Sequence, residues 1–346
     1  MRTRKLASAL FGSVLLGASL APGLAHAQEV VLKFAHFMPP TNPYHVHVIV
    51  PWCERIAARS AGRMKCQIYP ANQLGGTAPQ LLNQVRDGVA DIIWTMPGYN
   101  SGRFPITEVF ELPFFTTTPE ATARALWDFT QQHAMREFAG MKPLATWTPG
   151  AYAFHMSRKE VKTLEDLKGQ KVRTPSRLGN KLLAALGATP VGMPAPQMSE
   201  GIAKGVIDGA LYPWESVPSA KLHELSRFSF DANAAYRMSA ATTLIAMNQK
   251  KYDSLPADLR KIIDDNSGRE FSAQAAAALD REARVGRDAT IANGNAVYVL
   301  PAAEVARWQS ATQPIADEWI EEMNAAGHDG RKLHAAATAL VKQYTH

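Results

Sequence analysis

Arg173 is the residue of this sequence best suited to hold a charged ligand. It lies at the end of an apolar strand predicted over Lys171 to Thr174, and Pro175 and a helix start follow. In open α/β sheets, ligands bind beyond the carboxyl ends of the strands, where helix N-termini also point. A guanidinium there can bind a carboxylate through two parallel hydrogen bonds. The alternative is an ion pair between two parts of the protein, which is the commoner role of a lone arginine.

The other residues at predicted strand ends are mostly aromatic or apolar. These candidate ligand contacts are Phe37, Thr95, Met96, Tyr99, Tyr152, Ser176, Tyr212 and Trp214. Arg103, in the loop after Tyr99, is a second candidate cation with a weaker case. Aromatic side chains also dominate protein cores, so a core position is the alternative for each of them. The set combines aromatic surface with one well-placed positive charge.

Motifs of the common enzyme, metal and nucleic-acid classes are absent from the sequence. It contains no G-x-S-x-G, H-E-x-x-H, P-loop or G-x-G-x-x-G pattern. His45 and His47 fall on a predicted helix, where positions i and i+2 point apart and cannot share a metal ion. Lys and Arg are dispersed, without a basic arm. We therefore predict no catalytic residue, no metal, no cofactor and no nucleic-acid partner.

The composition is that of a folded protein large enough for two domains. The chain has 346 residues, of which 46% are hydrophobic and 20% charged, and domains usually hold about 100–200 residues. Predicted strands and helices alternate from Val30 onward, which favours an α/β fold with parallel strands. Segment 85–91 returns as 202–208, and each copy is a helix end, a Gly, a Val and an Asp leading into an apolar strand. The repeat suggests two lobes of similar construction.

A long helical stretch follows Pro256. It runs from about Ala257 to Asn293 with few helix-breaking residues. At 1.5 Å per residue it would be about 55 Å long, which exceeds the width of one small domain. We expect this helix to span both lobes.

The first 27 residues have the pattern of a secretory signal peptide. Three basic residues precede an apolar run, and Ala25-His26-Ala27 fits the cleavage rule. We expect cleavage after Ala27 and export; an uncleaved N-terminal anchor is the alternative. Without those three basic residues, 34 of the 37 Lys and Arg remain against 31 Asp and Glu, so much of the apparent basicity belongs to the signal.

Cys53 and Cys66 are the two cysteines of the chain. An exported protein meets an oxidising compartment, where pairing is the default. We expect a disulfide between them, with two buried free thiols as the alternative.

Taken together, these segments resemble the solute receptors of tripartite ATP-independent periplasmic (TRAP) transporters. The resemblance covers essentially the whole mature chain, through motifs in the family's order. They are Leu32-Lys33-Phe34-Ala35-His36, Ile68-Tyr69-Pro70, Gln73-Leu74-Gly75, Gly88-Val89-Ala90-Asp91, Glu111-Leu112-Pro113-Phe114, Leu167 to Pro175, Leu186-Gly187-Ala188 and Gly205 to Gly209. The resemblance implies a two-lobed, periplasmic-binding-protein-like α/β fold with a long helix spanning both lobes. It also implies that Arg173 binds the substrate carboxylate.

The resemblance gives a division of the chain. We expect lobe I to comprise residues 28–150 and 238–277, and lobe II residues 151–237 and 278–346. The cleft between the lobes would close on the ligand.

Four positions that are polar in the family's sugar-acid receptors carry other residues here. By alignment of the motifs they are Phe37, Met96, Ala153 and Tyr212, with Trp214 nearby. Such a cleft cannot satisfy the hydroxyl groups of a sugar acid. Ala153 stands in place of a second arginine, which counts against a dicarboxylate unless Arg103 replaces it.

The sequence therefore predicts a periplasmic substrate-binding subunit that captures an organic monocarboxylate with an aromatic or apolar body. It would deliver this ligand to an integral-membrane TRAP permease, with uptake driven by an ion gradient. Two alternatives stay open at this point. One is a sensor accessory protein that presents the ligand to a membrane receptor, and the other is a periplasmic enzyme on the same scaffold.

Overall fold

The computed structural model describes residues 29–232 and 237–345. The predicted signal peptide, residues 1–27, and its cleavage point lie outside these ranges. Within them, no helix combines the length and the apolar character needed to cross a membrane. Two separate β-sheets organise the described chain, and each forms the core of one lobe. The predicted two-lobed α/β fold is confirmed.

Eleven strands form the two sheets among the described residues. In chain order they are β1 (Val30–His36), β2 (Met64–Tyr69), β3 (Ile92–Thr95), β4 (Met141–Trp147), β5 (Tyr152–Met156), β6 (Lys171–Thr174), β7 (Thr189–Gly192), β8 (Gly209–Pro213), β9 (Phe228–Asp231), β10 (Thr243–Asn248) and β11 (Ala296–Val299). The sheet of lobe I has the order β2-β1-β3-β10-β4, and that of lobe II the order β11-β9-β5-β8-β6-β7.

Helices pack on both sheets. They are α1 (Val50–Arg59), α2 (Leu81–Asp87), α3 (Pro119–Phe129), α4 (Leu164–Leu167), α5 (Arg177–Ala185), α6 (Ala195–Ala203), α7 (Leu222–Leu225), α8 (Gln249–Ser254), α9 (Ala257–Asp265), α10 (Arg269–Ala292), α11 (Ala302–Thr312), α12 (Pro314–Ala325) and α13 (Gly330–Tyr344). Short turns of tighter or wider helix precede several of them, including Tyr44–Ile49 before α1.

One strand in each sheet runs against its neighbours, which corrects the expectation of purely parallel layering. β10 is antiparallel to β3 and β4, and β5 is antiparallel to β8 and β9. The remaining pairs are parallel, as predicted. β5 and β10 are each reached directly from a strand of the other sheet, β4 and β9, without an intervening helix among the described residues. A strand entered this way starts at the edge where the parallel strands end, so it runs in the opposite direction, whereas β11 follows the long helix α10 and is parallel to β9.

The two copies of the repeated segment have the same local structure. Gly88 and Gly205 follow α2 and α6 with φ angles of 80° and 70°, the left-handed conformation that favours glycine. Asp91 and Asp208 then each accept a hydrogen bond of 2.8 Å from a backbone N–H of the adjacent parallel strand, β1 in lobe I and β6 in lobe II. In both lobes, a left-handed glycine and a bonded aspartate therefore join a helix end to the sheet.

The stretch predicted as one helix over 257–293 is two helices. α9 ends at Asp265, and α10 begins at Arg269 after Gly268, whose φ is 91°. In the break, the carbonyl of Asn266 accepts a hydrogen bond of 2.9 Å from the indole N–H of Trp52. A partner far away in sequence thus stabilises a turn that local composition does not reveal.

α10 nevertheless contacts both lobes. With 24 residues it is about 36 Å long. It packs on α3 and β4 of lobe I, and on β11 and the turn Trp214–Ser216 of lobe II. A side chain at Gly286 would place its Cβ 1.8 Å from the carbonyl oxygen of Trp214, so this close approach requires glycine.

The last helix lies against the first lobe. α11 and α12 pack on α5 of lobe II, whereas α13 packs on α3 and on the turn Thr107–Glu111 of lobe I. The expected lobe boundaries assign residues 278–346 wholly to lobe II, and they do not anticipate that α13 packs on lobe I.

Cys53 and Cys66 form the predicted disulfide. It joins α1 to β2, with the two Cα atoms 5.6 Å apart. The bond therefore fixes the first helix of lobe I against the edge strand of its sheet.

Replacing both cysteines with serine should lower the free energy of unfolding by about 3 kcal/mol, because the bond restricts the unfolded chain. Urea denaturation followed by Trp fluorescence measures the difference between the two proteins. Equal stability of the variant and the wild type, or two titratable thiols in denatured, unreduced periplasmic protein, would contradict this expectation.

Candidate ligand-binding site

A cavity lies between the two sheets, at the carboxyl ends of β1, β3, β6 and β8. It is small, with about 20 Å³ open to the centre of a water molecule. Its walls are formed by Phe37, Met38, Tyr44, Trp94, Met96, Pro149, Tyr152, Arg173, Ala195, Tyr212, Pro213 and Ser216. Both lobes contribute, together with Pro149 of the segment that connects them.

Arg173 is the charged residue of the cavity wall. Its strand β6 is paired on both sides, by β7 and β8, and the residue is 1% exposed. Nε donates to the carbonyl of Met193 (2.8 Å) and Nη1 to that of Leu211 (3.2 Å). Nη2 is buried without a partner, and none of the ion pairs among the described residues includes Arg173. A buried cation needs an anion, so this position is suited to an anionic ligand.

Aromatic rings form much of the remaining wall. Trp94 is stacked between Phe37 and Tyr44, with ring centroids 4.7 and 4.3 Å away. On the other lobe, the ring centroid of Tyr212 is 5.7 Å from the guanidinium carbon of Arg173. Flat buried rings favour a ligand with a flat apolar body.

The tyrosines of the wall stay neutral. Burial raises the pKa of Tyr44, Tyr152 and Tyr212 well above its ordinary value. The charge of Arg173 lowers the pKa of Tyr152 and Tyr212, but its effect is smaller than that of burial. No tyrosinate therefore offsets the positive charge of Arg173.

Glu215 is a buried acid where the lobes meet. One carboxyl oxygen accepts hydrogen bonds from the Tyr44 hydroxyl (3.1 Å) and from the backbone N–H of Gly150 (3.4 Å), and the other has no partner. Burial raises the pKa of Glu215 to about 7. Because it is protonated below that pH and does not pair with Arg173, it supplies no counter-charge to the cavity.

Polar contacts join the lobes directly around the cavity. Asn42 donates to two serine hydroxyls of lobe II, at 2.8 and 3.2 Å. The backbone N–H of Ala195 donates to the hydroxyl of Tyr99 at 3.0 Å. Arg177, at the start of α5, binds the carboxylate of Glu108 at 2.7 Å. The lobes are therefore closed on each other in this structure.

The cavity contains half of the candidate contacts identified from the sequence. Those on its wall are Phe37, Met96, Tyr152, Arg173 and Tyr212. Tyr99 lies behind the wall, with its ring centroid 5.4 Å from that of Phe37. Its hydroxyl accepts from the N–H of Ala195 and lies close to the guanidinium of Arg173, so Tyr99 supports both sides of the site from behind the wall.

Trp214 does not face the cavity. Its indole N–H donates to Asp231 at 2.8 Å, and its ring meets His155 edge-on with centroids 4.8 Å apart. β8 ends at Pro213, and the turn that follows directs the indole away from Arg173. The expectation that Trp214 lines the cleft therefore needs correction.

Three further candidates are also occupied elsewhere. Thr95 is buried in β3 next to Trp94, and because side chains alternate along a strand it faces the opposite side. Ser176 caps α5, where its hydroxyl oxygen accepts from the N–H of Gly179 at 3.2 Å. Arg103 is half-exposed and donates to Asn83 at 3.2 Å. Arg103 thus provides no second cation for the cavity.

Tyr44 and Trp94 line the cavity but were not among the sequence candidates, and neither were Met38, Pro149, Ala195, Pro213 and Ser216. Met96 follows β3 directly, two positions after Trp94, so the period of two could have indicated that they share a face. Tyr44 follows Asn42 and Pro43 at a helix start beside the end of β1, which is a weaker signal.

Two histidines near this edge lie within hydrogen-bond distance of each other. His36 Nε2 and His45 Nδ1 are 2.9 Å apart, and burial lowers the pKa of His36 to about 3. Among residues 29–232 and 237–345, no group of three or more His, Cys, Asp or Glu side chains is arranged to hold a metal ion.

The amino-acid sequence matches a known protein family over most of its length. The pattern of the bacterial extracellular solute-binding proteins, family 7 (DctP), matches residues 34–322. The chain belongs to this family. Its members are substrate-binding proteins, and the predicted TRAP resemblance is confirmed.

Solved structures and a curated relative agree with this assignment. A TRAP solute-binding protein from Rhodoferax ferrireducens T118, in complex with copurified benzoate, is 44% identical with a TM-score of 0.90, over 91% of this chain and 98% of that one. A marine metagenome TRAP protein specific for aromatic acid ligands, with 3-hydroxybenzoate, is 39% identical with a TM-score of 0.90, over 92% and 100%. The C4-dicarboxylate-binding periplasmic protein DctP of Rhodobacter capsulatus is 25% identical, over 94% and 96%.

The DctP-family protein described here is a periplasmic solute-binding protein of the TRAP type. TRAP solute-binding proteins work with membrane permease components, so the predicted role as a substrate-binding subunit, the permease partner and the periplasmic compartment are confirmed.

Glu215→Gln should change how stability depends on pH. The wild-type carboxyl has a pKa of about 7 when folded and an ordinary value of 4.5, so the native state loses stability as pH rises between these values. Gln cannot ionise. The free energy of unfolding of the variant relative to wild type should therefore rise by about 3 kcal/mol from pH 4 to pH 8.

Denaturant titrations across this pH range measure the effect. Glu120→Gln, which removes a carboxylate from the exposed first turn of α3, is the control measured under the same conditions. A flat profile for Glu215→Gln would contradict the raised pKa.

Proposed function

We propose that this receptor binds an aromatic monocarboxylate, closes on it and delivers it to the permease. The observation that carries the proposal is Arg173, a buried guanidinium with an unpartnered N–H group in a cavity walled by aromatic rings. A ligand that matches this combination has one negative charge and one flat apolar body.

The carboxylate would bind at Nη2 of Arg173. Two backbone carbonyls already fix the guanidinium through Nε and Nη1. Since the donor is held in place before the ligand arrives, little conformational entropy is lost on binding. A hydrogen bond between two charged groups in a buried site is among the stronger polar contacts in proteins.

The body of the ligand would lie against Phe37, Trp94 and Met96 of lobe I and against Tyr152 and Tyr212 of lobe II. The ligands of the two solved relatives, benzoate and 3-hydroxybenzoate, support an aromatic acid. Aliphatic acids would also be attracted by Arg173, but they would leave the flat ring surfaces poorly covered.

A single carboxylate agrees with a single cation. Arg173 is the one Lys or Arg on the wall of the cavity as described, and Arg103 is bonded to Asn83 outside it. A second buried carboxylate would therefore lose its hydration without gaining a positive partner. This supports a monocarboxylate over a C4-dicarboxylate.

Binding would involve hinge closure of the two lobes, with 28–150 and 238–277 moving against 151–237 and the part of 278–346 that packs on lobe II. The contacts of Asn42, Tyr99 and Arg177 between the lobes would form at closure.

We further propose that the ligand is released unchanged, without catalysis. Mass spectrometry of an incubated ligand tests this, and any turnover would favour an enzyme.

Arg173→Ala should weaken binding of benzoate by more than about a hundredfold, because the carboxylate would be buried without its partner. Isothermal titration calorimetry measures the change. Arg307→Ala, which removes an arginine paired with Glu165 on the surface of lobe II, is the matched control and should bind as wild type does. Unchanged affinity in Arg173→Ala would rule out the anchor role.

Aromatic acids should bind about tenfold or more tightly than aliphatic acids of equal charge, since ring stacking adds roughly 0.5–1.5 kcal/mol beyond area burial. A thermal-shift and Trp-fluorescence panel would compare benzoate, phenylacetate and aryl 2-oxo acids with hexanoate, succinate and sialic acid. Micromolar binding of succinate or sialic acid, with failure of every aromatic acid, would contradict the proposed ligand class.

A further inference from the structure

Trp94 carries a second donor without a protein partner on the wall of the cavity. Its Nε1 is buried and has no hydrogen-bond partner among the described residues, while its ring lines the cavity. The stacking of Phe37 and Tyr44 on its two faces fixes the plane of the indole. A buried N–H that is left unpaired costs free energy, so a polar atom of a ligand is the natural partner.

The two donors come from different lobes. Trp94 belongs to β3 of lobe I and Arg173 to β6 of lobe II. The hydroxyls of Tyr152 and Tyr212 belong to the same cavity wall and lie near Arg173, on lobe II. On lobe I the hydroxyl of Tyr44 is already bonded within the protein, so the indole N–H is the donor of that lobe without a protein partner among the described residues. A ligand that satisfies the donors of both lobes needs an acceptor for Trp94 in addition to its carboxylate.

We infer that the ligand is a single-ring arylcarboxylate with an oxygen substituent on the ring, away from the carboxylate, which accepts the indole N–H of Trp94. The inference rests on the proposed function, because Arg173 must hold the carboxylate for the ring to be oriented towards lobe I. Trp94 is then the residue that distinguishes oxygenated rings from plain or alkylated ones.

Trp147 supplies a matched control within the same chain. It is fully buried, its Nε1 also has no partner, and its ring is stacked on Tyr44 with centroids 6.2 Å apart. It does not line the cavity. An unpartnered indole alone therefore does not make a ligand contact, and the position of Trp94 on the wall is what distinguishes the two.

Calorimetry with 3- and 4-hydroxybenzoate and with 3- and 4-methylbenzoate tests the inference. Hydroxyl and methyl groups are similar in size, but only the hydroxyl accepts a hydrogen bond. In the wild type, at least one hydroxybenzoate should bind about tenfold or more tightly than the methyl compound with the same ring position. Trp94→Phe keeps a ring between Phe37 and Tyr44 and should reduce this ratio to near one, whereas Trp147→Phe should keep the wild-type ratio.

The outcomes separate this inference from the proposed function. A wild-type ratio near one at both ring positions overturns the inference, whether or not the variants fold, and leaves the proposed function intact if benzoate binds. Equal weakening of hydroxyl and methyl ligands in Trp94→Phe would assign the indole N–H to the carboxylate and would also overturn it. If neither benzoate nor any of the four compounds binds, the proposed function itself fails.

Discussion

The uncompensated charge of Arg173 is the constraint on which the rest of the site depends. Removing a guanidinium from water costs several kcal/mol unless other groups replace the water. The protein replaces part of it with two backbone carbonyls, which reach Nε and Nη1 because β6 is paired with β8 on one side and β7 on the other. Burial keeps the nearby tyrosines protonated and raises the pKa of Glu215 to about 7, and Glu215 does not pair with Arg173, so the positive charge stays available to a ligand.

In the region that joins the lobes, two glycines lie close to one turn of lobe II, and at Gly286 a side chain is excluded. A Cβ at Gly150 would lie 2.9 Å from a carboxyl oxygen of Glu215, and one at Gly286 would lie 1.8 Å from the carbonyl of Trp214. Neighbouring residues of one turn thus contact the connecting segment on one side and α10 on the other. Since Glu215 also accepts the hydroxyl of Tyr44, the same turn links the cavity wall to the hinge.

The sequence predicts the parts of this structure that depend on local signals. The repeated helix end, Gly, Val and Asp was found because each feature is decided by residues next to it. Arg173 was found from its place at a strand end. The break before α10 was missed because the indole of Trp52, over 200 positions away, stabilises Asn266. Trp214 was misplaced for a similar reason, since its partner Asp231 lies on another strand.

The two lobes have a similar arrangement of strands and helices, but they contribute different chemical groups to the cavity. Lobe I brings the stacked rings of Phe37, Trp94 and Tyr44 to the cavity, whereas lobe II brings the cation together with the rings of Tyr152 and Tyr212. An aromatic acid of the proposed class that was held by only one lobe would keep its charge or one face of its ring in water, and it would gain only part of the available free energy. Only the closed arrangement covers both ends of the ligand, so recognition of the right molecule and closure of the lobes become one event. A rigid site with all contacts on one lobe could bind as tightly, but its binding would give the permease no change of shape to recognise.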